Sequence, residues 1–198
     1  MICGIDEAGR GSLCGSMFIA GVACDEDRAR WLRAMGVKDS KKLSKPKRFE
    51  LASMLGGCED VHIHVVEKTC EQIDSCGLSA CLKEAMREII EHLLAFSRDF
   101  YMDGNTLFGL RSDSAYRLEC LVKGDDKVPQ ISAASIIAKT SKDTQMLELH
   151  SLYPQYGFEN NAGYGTKSHL EAINLYGYTP FHRKSFLIHQ RAKASLFG

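Results

Sequence analysis

Residues 2–24 read ICGIDEAGRGSLCGSMFIAGVAC, two apolar segments either side of a glycine-rich turn. The segments 2–6 (ICGID) and 17–24 (MFIAGVAC) predict two β-strands joined by EAGRGSLCGS (7–16). Outward from them, residues 61–66 (VHIHVV) alternate Val61, Ile63 and Val65 with His62 and His64, the period-two mark of a half-buried third strand. At Leu78 the period changes. Leu78, Leu82, Ala85, Met86, Ile89, Leu93 and Leu94 recur every three to four residues and predict a long amphipathic helix. DFYMD (99–103) predicts a short strand ending at an Asp-Gly turn, and RLECLV (117–122) a fifth strand ending at KGDD. Ser44 is placed to cap a helix beginning KPKRFE, helical spacing returns over 131–152 and 166–176, and a final helix follows Ser185. This order predicts an α/β fold, one sheet with helices packed on it, forming a single domain over residues 1–198.

A chain of 198 residues with 44% hydrophobic and 25% charged content has the composition of a globular protein, not a disordered one. No apolar run approaches the ~20 residues that span a bilayer. The start MICGIDEAGRG lacks a basic segment followed by an apolar one, so the expectation is a cytoplasmic protein without a membrane partner. Eight scattered cysteines form no CxxC pair and mostly adjoin apolar residues, which favours free thiols over disulfides or zinc. Lys+Arg and Asp+Glu are equal at 25 each, so any attraction for nucleic acid has to come from a local basic patch.

Four acids fall at the expected strand ends or the turns after them: Asp6, Glu7, Asp103 and Asp125. Carboxylates converging without a fixed cation repel one another, a state relieved by divalent ions. All-oxygen donors suit hard Mg²⁺ or Mn²⁺, and two such ions roughly 3.5–4 Å apart can hydrolyse a phosphodiester. Each acid alone also reads as a solvated turn residue, and an adjacent pair on a regular strand points to opposite faces. Asp6 and Glu7 can then serve one cluster only if the strand ends or bends there, for which Gly9 and Gly11 supply the means.

GIDEAGRG (4–11) resembles the N-terminal signature of ribonuclease HII, and further blocks of that family follow in its order. They are DSKKLS (39–44), YMDGN (101–105), VKGDDKVPQISAASIIAK (122–139), YPQYGF (153–158), GYGTKSHL (163–170) and HRKSF (182–186). The resemblance implies a ribonuclease H-like fold: a five-stranded mixed sheet, its first three strands antiparallel, flanked by helices, with a helical C-terminal part. It also implies a two-metal endonuclease, using Mg²⁺ or Mn²⁺, that cuts the RNA strand of RNA/DNA hybrids. The same resemblance implies cutting 5′ to single ribonucleotides in duplex DNA, leaving 3′-hydroxyl and 5′-phosphate ends.

Carried over by position, the metal-binding acids are Asp6, Glu7 and Asp103, with Asp125 as the fourth and Asp126 its easily confused neighbour. Gly9, Arg10 and Gly11 match the GRG that recognises the ribose 2′-OH and adjoining phosphate, and Tyr164 the tyrosine packing at the RNA–DNA junction. Glycines permit close backbone approach to a sugar, and an arginine fork suits a phosphate. Without the resemblance, the same GRG reads as a tight surface turn. Lys42 and Lys139 are candidates for phosphate contact. Ser132, Ser135, Lys139 and Asp143 share a helix face that either meets a phosphate or closes in a Lys139–Asp143 pair. Asp143 reads as a supporting acid, and His182-Arg183 lies either near the DNA strand or in a structural helix start.

This chain departs from the family pattern at Ser12, Cys14 and Ser16, where proline and alanine are usual, and at Ala162, usually lysine. QRAKASLF (190–197) resembles a sliding-clamp-binding peptide, but Lys193 occupies its apolar position and an ordinary helix end is preferred. The expected protein is a monomer. The related type 3 enzyme normally carries an additional N-terminal substrate-binding domain, whereas here the first signature begins at Gly4. A DNA nuclease on the same fold would lack the GRG and the tyrosine, and a non-catalytic duplex binder has no use for four acids beside a polyanion.

Overall fold

The apolar run at 17–24 becomes β2 (Met17–Cys24), buried along its whole length because it is an interior strand. In the computed structural model, which describes residues 1–186, β2 pairs antiparallel with β1 (Ile2–Ala8) and with β3 (His62–Lys68). On the other side of β1, β4 (Asp99–Asp103) and then β5 (Arg117–Leu121) add in parallel. The five-stranded mixed sheet has the order β3-β2-β1-β4-β5.

Helices cover both faces. On one face α4 (Leu78–Leu93) buries Leu82, Met86 and Ile89 against Cys3, Ile5, Met17, Ile19, Phe100 and Met102. On the other, α5 (Pro129–Leu152) places Ala133, Ala134 and Ile136 against Ala20 and Val22. There α1 (Glu26–Ala34) adds Leu32, and α2 (Lys45–Gly56), capped by Ser44, adds Leu51 and Leu55. Gly4 permits the close α5 approach to β1: a Cβ there would lie 2.2 Å from the Ile131 nitrogen. Between β3 and α4 runs the short α3 (Cys70–Cys76), begun by a Thr69/Gln72 capping box.

The helical C-terminal part contains α6 (Phe158–Asn161) and α7 (Lys167–Tyr176), and it packs Phe158, Ala172 and Ile173 on Leu13 and Cys14 of the β1–β2 turn. Among the described residues no helix is long and apolar enough to cross a membrane. All eight cysteines are free thiols, five of them buried.

Three expectations need correction. Helices α1 and α3 were not expected, and β1 continues through Asp6 and Glu7 to Ala8. On β3 the alternation holds but the faces differ: Val65 is exposed, whereas His62 and His64 stack on Phe96 and His92 beside α4, with Val66 in the core. An edge strand with a helix on each side over part of its length has no single apolar face. The expected final helix and the segment 190–197 fall largely or wholly outside the described residues.

Candidate active site

Strands β1 and β4 run parallel with Ile5 opposite Met102, so the next residues, Asp6 and Asp103, stand side by side at one sheet edge. Cys3, Ile5, Phe100 and Met102 face α4, and alternation along each strand therefore sends Asp6 and Asp103 to the α5 face. After β5 the chain turns through Lys123, whose φ of 55° is left-handed, into a 3₁₀ turn at Gly124–Asp126 that carries Asp125. The Gly124 N–H donates to Asp103 Oδ1 at 2.7 Å, joining the two segments. Glu7 points to the opposite face, where Arg10 Nη1 lies 3.5 Å from its Oε1. β1 does not end between the two acids as expected but runs on to Ala8; because its pairing with β4 stops at Ile5–Met102, both carboxylates lie at the open edge, where the charge of Glu7 raises Asp6 and that of Asp103 raises Glu7.

The acids disfavour their own ionisation. Burial, then the charges of Glu7 and Asp103, push Asp6 up to about 8, although Ser135 and the Glu7 N–H donate to it. Glu7 is raised by burial, opposed by Arg10, with Asp103 adding to the rise. Asp125 is raised by burial and by Asp103 and Asp39, while Lys41, 4.0 Å away, opposes. Asp103 acts on all three. Among the described residues no three acidic, histidine or cysteine side chains are closed into an ion-sized cage. Carboxylates raised by burial and by one another in this way fit a hard divalent cation.

Beside the acids stands the β1–β2 turn. Gly9 adopts φ +82°, where a Cβ would meet the Ser16 carbonyl oxygen at 2.9 Å, so glycine is required there. The Leu13 and Cys14 N–H groups both donate to the Gly163 carbonyl, at 2.8 and 3.2 Å. This contact brings the turn to Tyr164: a Cβ on Gly11 would lie 3.9 Å from the tyrosine Cε1. Tyr164 remains 41% exposed, so its ring has a free face. The exposed Arg10 links the turn to the acids through Glu7, and its guanidinium lies 5.4 Å from the Phe108 ring centre.

The departures from the family pattern carry their own support. Ser12 donates to the Ala162 carbonyl, and Ser16 bonds Glu67 at 2.6 Å and receives Gln145 at 2.8 Å. Ala162 itself has φ 49°.

The lysines are committed within the protein. Lys42 pairs with Asp126 and lies 3.9 Å from Asp39. Lys139 donates to Asp143 at 2.9 Å, and Arg48 takes the other oxygen at 2.7 Å. Ser132 and Ser135 are buried, bonding the Asp125 carbonyl and Ser40, so that part of the helix face cannot meet a phosphate. His182 and Arg183 are buried as well.

Lys41, Asp39 and Ser135 act on the acids without having been singled out for it by the sequence. The DSKKLS block, which carries Asp39 and Lys41, and the helical spacing that puts Ser135 on one face with Ser132 were the available signals. A local basic rim also emerges only in the fold, where Arg33, Lys38 and Lys127 line a hollow of about 300 Å³ with Asp125 and Asp126. Arg33 comes from the unexpected α1.

A family model described as Ribonuclease HII matches residues 3–189. The chain belongs to the ribonuclease HII family. It is 50% identical over 191 residues to the ribonuclease HII of Helicobacter pylori (strain G27), covering 96% of this chain and 93% of that one. In structure it is similar to the ribonuclease HII of Archaeoglobus fulgidus, solved in complex with PCNA, with a TM-score of 0.80 and 31% identity over 95% and 94% of the two chains. The ribonuclease H2 of Pyrococcus horikoshii OT3 follows at 0.75 and 28%, over 93% and 92%. As a ribonuclease HII the protein is a ribonuclease H hydrolase, an endonuclease that degrades RNA in RNA/DNA hybrids.

Proposed function

We propose that the chain, acting as a single catalytic domain and a monomer, cuts both continuous RNA in hybrids and single ribonucleotides in duplex DNA. Cleavage falls 5′ to the ribonucleotide and leaves 3′-hydroxyl and 5′-phosphate ends. The observation that carries this reading is the continuity from acid edge to turn to tyrosine, through Arg10–Glu7 and Gly11 beside Tyr164. Asp6, Glu7, Asp103 and Asp125 would hold two divalent ions, Mg²⁺ or Mn²⁺. Ions bound there supply charge neutralisation, activation of a water and stabilisation of the departing 3′-oxygen.

The protein's own groups do the rest. The Gly9–Gly11 backbone takes the ribose 2′-OH, the one chemical mark separating it from deoxyribose. The Arg10 fork holds the adjoining phosphate, and the Tyr164 ring packs on the nucleotide at the junction. Lys42 and Lys139, with the Arg33–Lys38–Lys127 rim, offset backbone phosphate charge, Lys42 and Lys139 only on leaving their acid partners.

A sliding-clamp contact is a second reading, favoured by the PCNA complex of the similar Archaeoglobus fulgidus enzyme. Lys193 within 190–197 weighs against it.

The test is end-mapping of cleavage products from both substrates with Mg²⁺, with Mn²⁺ and with chelator. Cuts 5′ to the ribonucleotide, carrying 5′-phosphate and absent under chelation, are expected. Cyclic-phosphate ends or chelator-resistant cutting would overturn the mechanism.

A further inference from the structure

Two consecutive buried residues, His182 and Arg183, reach the two elements assigned above to ribose reading. Arg183 spans the β1–β2 turn: its Nη1 donates to the Arg10 carbonyl at 3.0 Å, its Nε to the Gly15 carbonyl at 3.0 Å, and its backbone N–H to the Leu13 carbonyl at 2.8 Å. His182 reaches the other element through His169. Its Nε2 lies 3.1 Å from His169 Nε2, and His169 Nδ1 lies 2.9 Å from the Tyr164 carbonyl.

The bonding partners fix both tautomers. His182 Nδ1 accepts the Thr179 N–H at 2.9 Å, so its proton sits on Nε2. The Tyr164 carbonyl can only accept, so His169 carries its proton on Nδ1 and presents a bare Nε2 to His182. The proton on His182 Nε2 therefore meets the bare His169 Nε2 at the central contact. The rings sit among Tyr156 and Phe158, and burial lowers both imidazoles below their ordinary range, which keeps them neutral.

Arg183 and His169 are fully buried. An ordinary core would satisfy such groups on nearby scaffold carbonyls. Here one acceptor of each is the backbone of Arg10 or Tyr164, the residues assigned above to the phosphate and the junction, with the Gly15 carbonyl taking the Arg183 Nε–H.

We propose that His182 and Arg183, with His169, are positioning residues: a strut that sets the distance between the Arg10 turn and the Tyr164 ring. The strut thereby tunes the preference for an isolated ribonucleotide over continuous RNA. This rests on the reading of Gly9–Gly11 and Tyr164 as the ribose and junction readers.

The test compares kcat/KM on a single-ribonucleotide duplex and on an RNA/DNA hybrid for the wild type, Tyr164→Ala, His169→Phe, Arg183→Lys and the Tyr164→Ala/His169→Phe double variant. A ratio of the two substrates does not depend on the folded fraction. His169→Phe keeps a packed ring but loses both hydrogen bonds, and Arg183→Lys keeps a cation but loses the fork. Each should lower the preference roughly three- to tenfold, the scale of one net hydrogen bond. In the Tyr164→Ala background, His169→Phe should leave the preference unchanged, because no ring remains to be placed.

Equal loss on both substrates for His169→Phe and Arg183→Lys, with Tyr164→Ala losing more on the single-ribonucleotide substrate, would overturn the strut and leave the readers standing. Equal loss for Tyr164→Ala itself would overturn the reader assignment, and the strut with it. Imidazole nitrogen NMR on the wild type tests the same geometry without any variant. A protonated Nδ1 and bare Nε2 on His169 are expected, and the reverse tautomer would overturn the relay.

Discussion

The acid edge and the turn beside it are built on opposite principles. At the acid edge, side chains crowd like charge: Asp103 raises Asp6, Glu7 and Asp125 together, and burial adds to each. In the turn, position comes from backbone hydrogen bonds, to Gly163 on one side and to Phe181 and Arg183 on the other. The first region holds free energy that a cation can release, whereas the second is closed by hydrogen bonds that leave only the Arg183 Nη2 without a partner among the described residues. Loss of an acid should therefore remove activity and spare the fold, whereas a fault in the turn's backbone should cost stability first.

The largest expected effect lies at the acid edge. Asp103→Asn or Asp6→Asn should lower single-turnover cleavage on the order of 10³-fold or more. The same variants in chelator should melt no lower than the wild type, because like-charge repulsion is relieved. A clear drop in melting temperature would assign those acids a structural part.

The turn separates two glycines that look alike in sequence. Gly9→Ala should destabilise by about 1–3 kcal/mol, through a positive φ and a 2.9 Å contact with the Ser16 carbonyl. Gly11→Ala meets only ordinary contact at 3.9 Å from Tyr164, so denaturant unfolding should be nearly unchanged while cleavage falls. Equal destabilisation by both would erase the distinction between scaffold and sugar-facing glycine.

The pH dependence of stability without metal should carry opposite signs in the two regions. His182 is depressed to about 4 from 6.5, so its contribution is complete above 6.5 and is lost as pH falls toward 4. The loss is on the order of 3 kcal/mol. Asp6 is raised to about 8 from 3.8, so its contribution is complete below 3.8 and is lost as pH rises through 8. Urea unfolding of the wild type, His182→Asn and Asp6→Asn across pH 4.5–8 separates the two slopes.

Much of this contrast was legible in the sequence, and unevenly so. Strand ends announce themselves through turns, so Asp103-Gly104 and KGDD placed their acids without coordinates. For Asp6 and Glu7 strand alternation raised the problem of opposed faces, but the strand end expected to resolve it was misplaced, because β1 runs on to Ala8. Helix α1 escaped because EDRARWLRA buries only Ala29 and Leu32, although Asp25 and the acidic first turn were readable as a start. The burial of Ser132 and Ser135 escaped for a different reason. Their common helix face was correctly inferred, but which neighbour covers a face is decided by contacts about a hundred residues away, such as Ser40–Ser135. The Arg183 bonds to Arg10 and Gly15 are long-range in the same way.

The smallest expected effect concerns the lysines. Lys139 is held by Asp143, so Lys139→Ala should weaken hybrid binding only slightly and lower the salt slope by at most about 1. A binding titration against salt measures it, and a drop of several-fold at moderate salt would show that Lys139 leaves Asp143 for a phosphate.

The proposed function requires the acid edge to cut only where the turn and Tyr164 have engaged a ribose. Three duplexes of one sequence test it directly in Mg²⁺: all-DNA, DNA with one ribonucleotide, and a continuous RNA strand paired to DNA. Cutting of the second and third, 5′ to the ribonucleotide in the second, with the first bound but intact, is the predicted result. Cleavage of the all-DNA duplex at a comparable rate would contradict it.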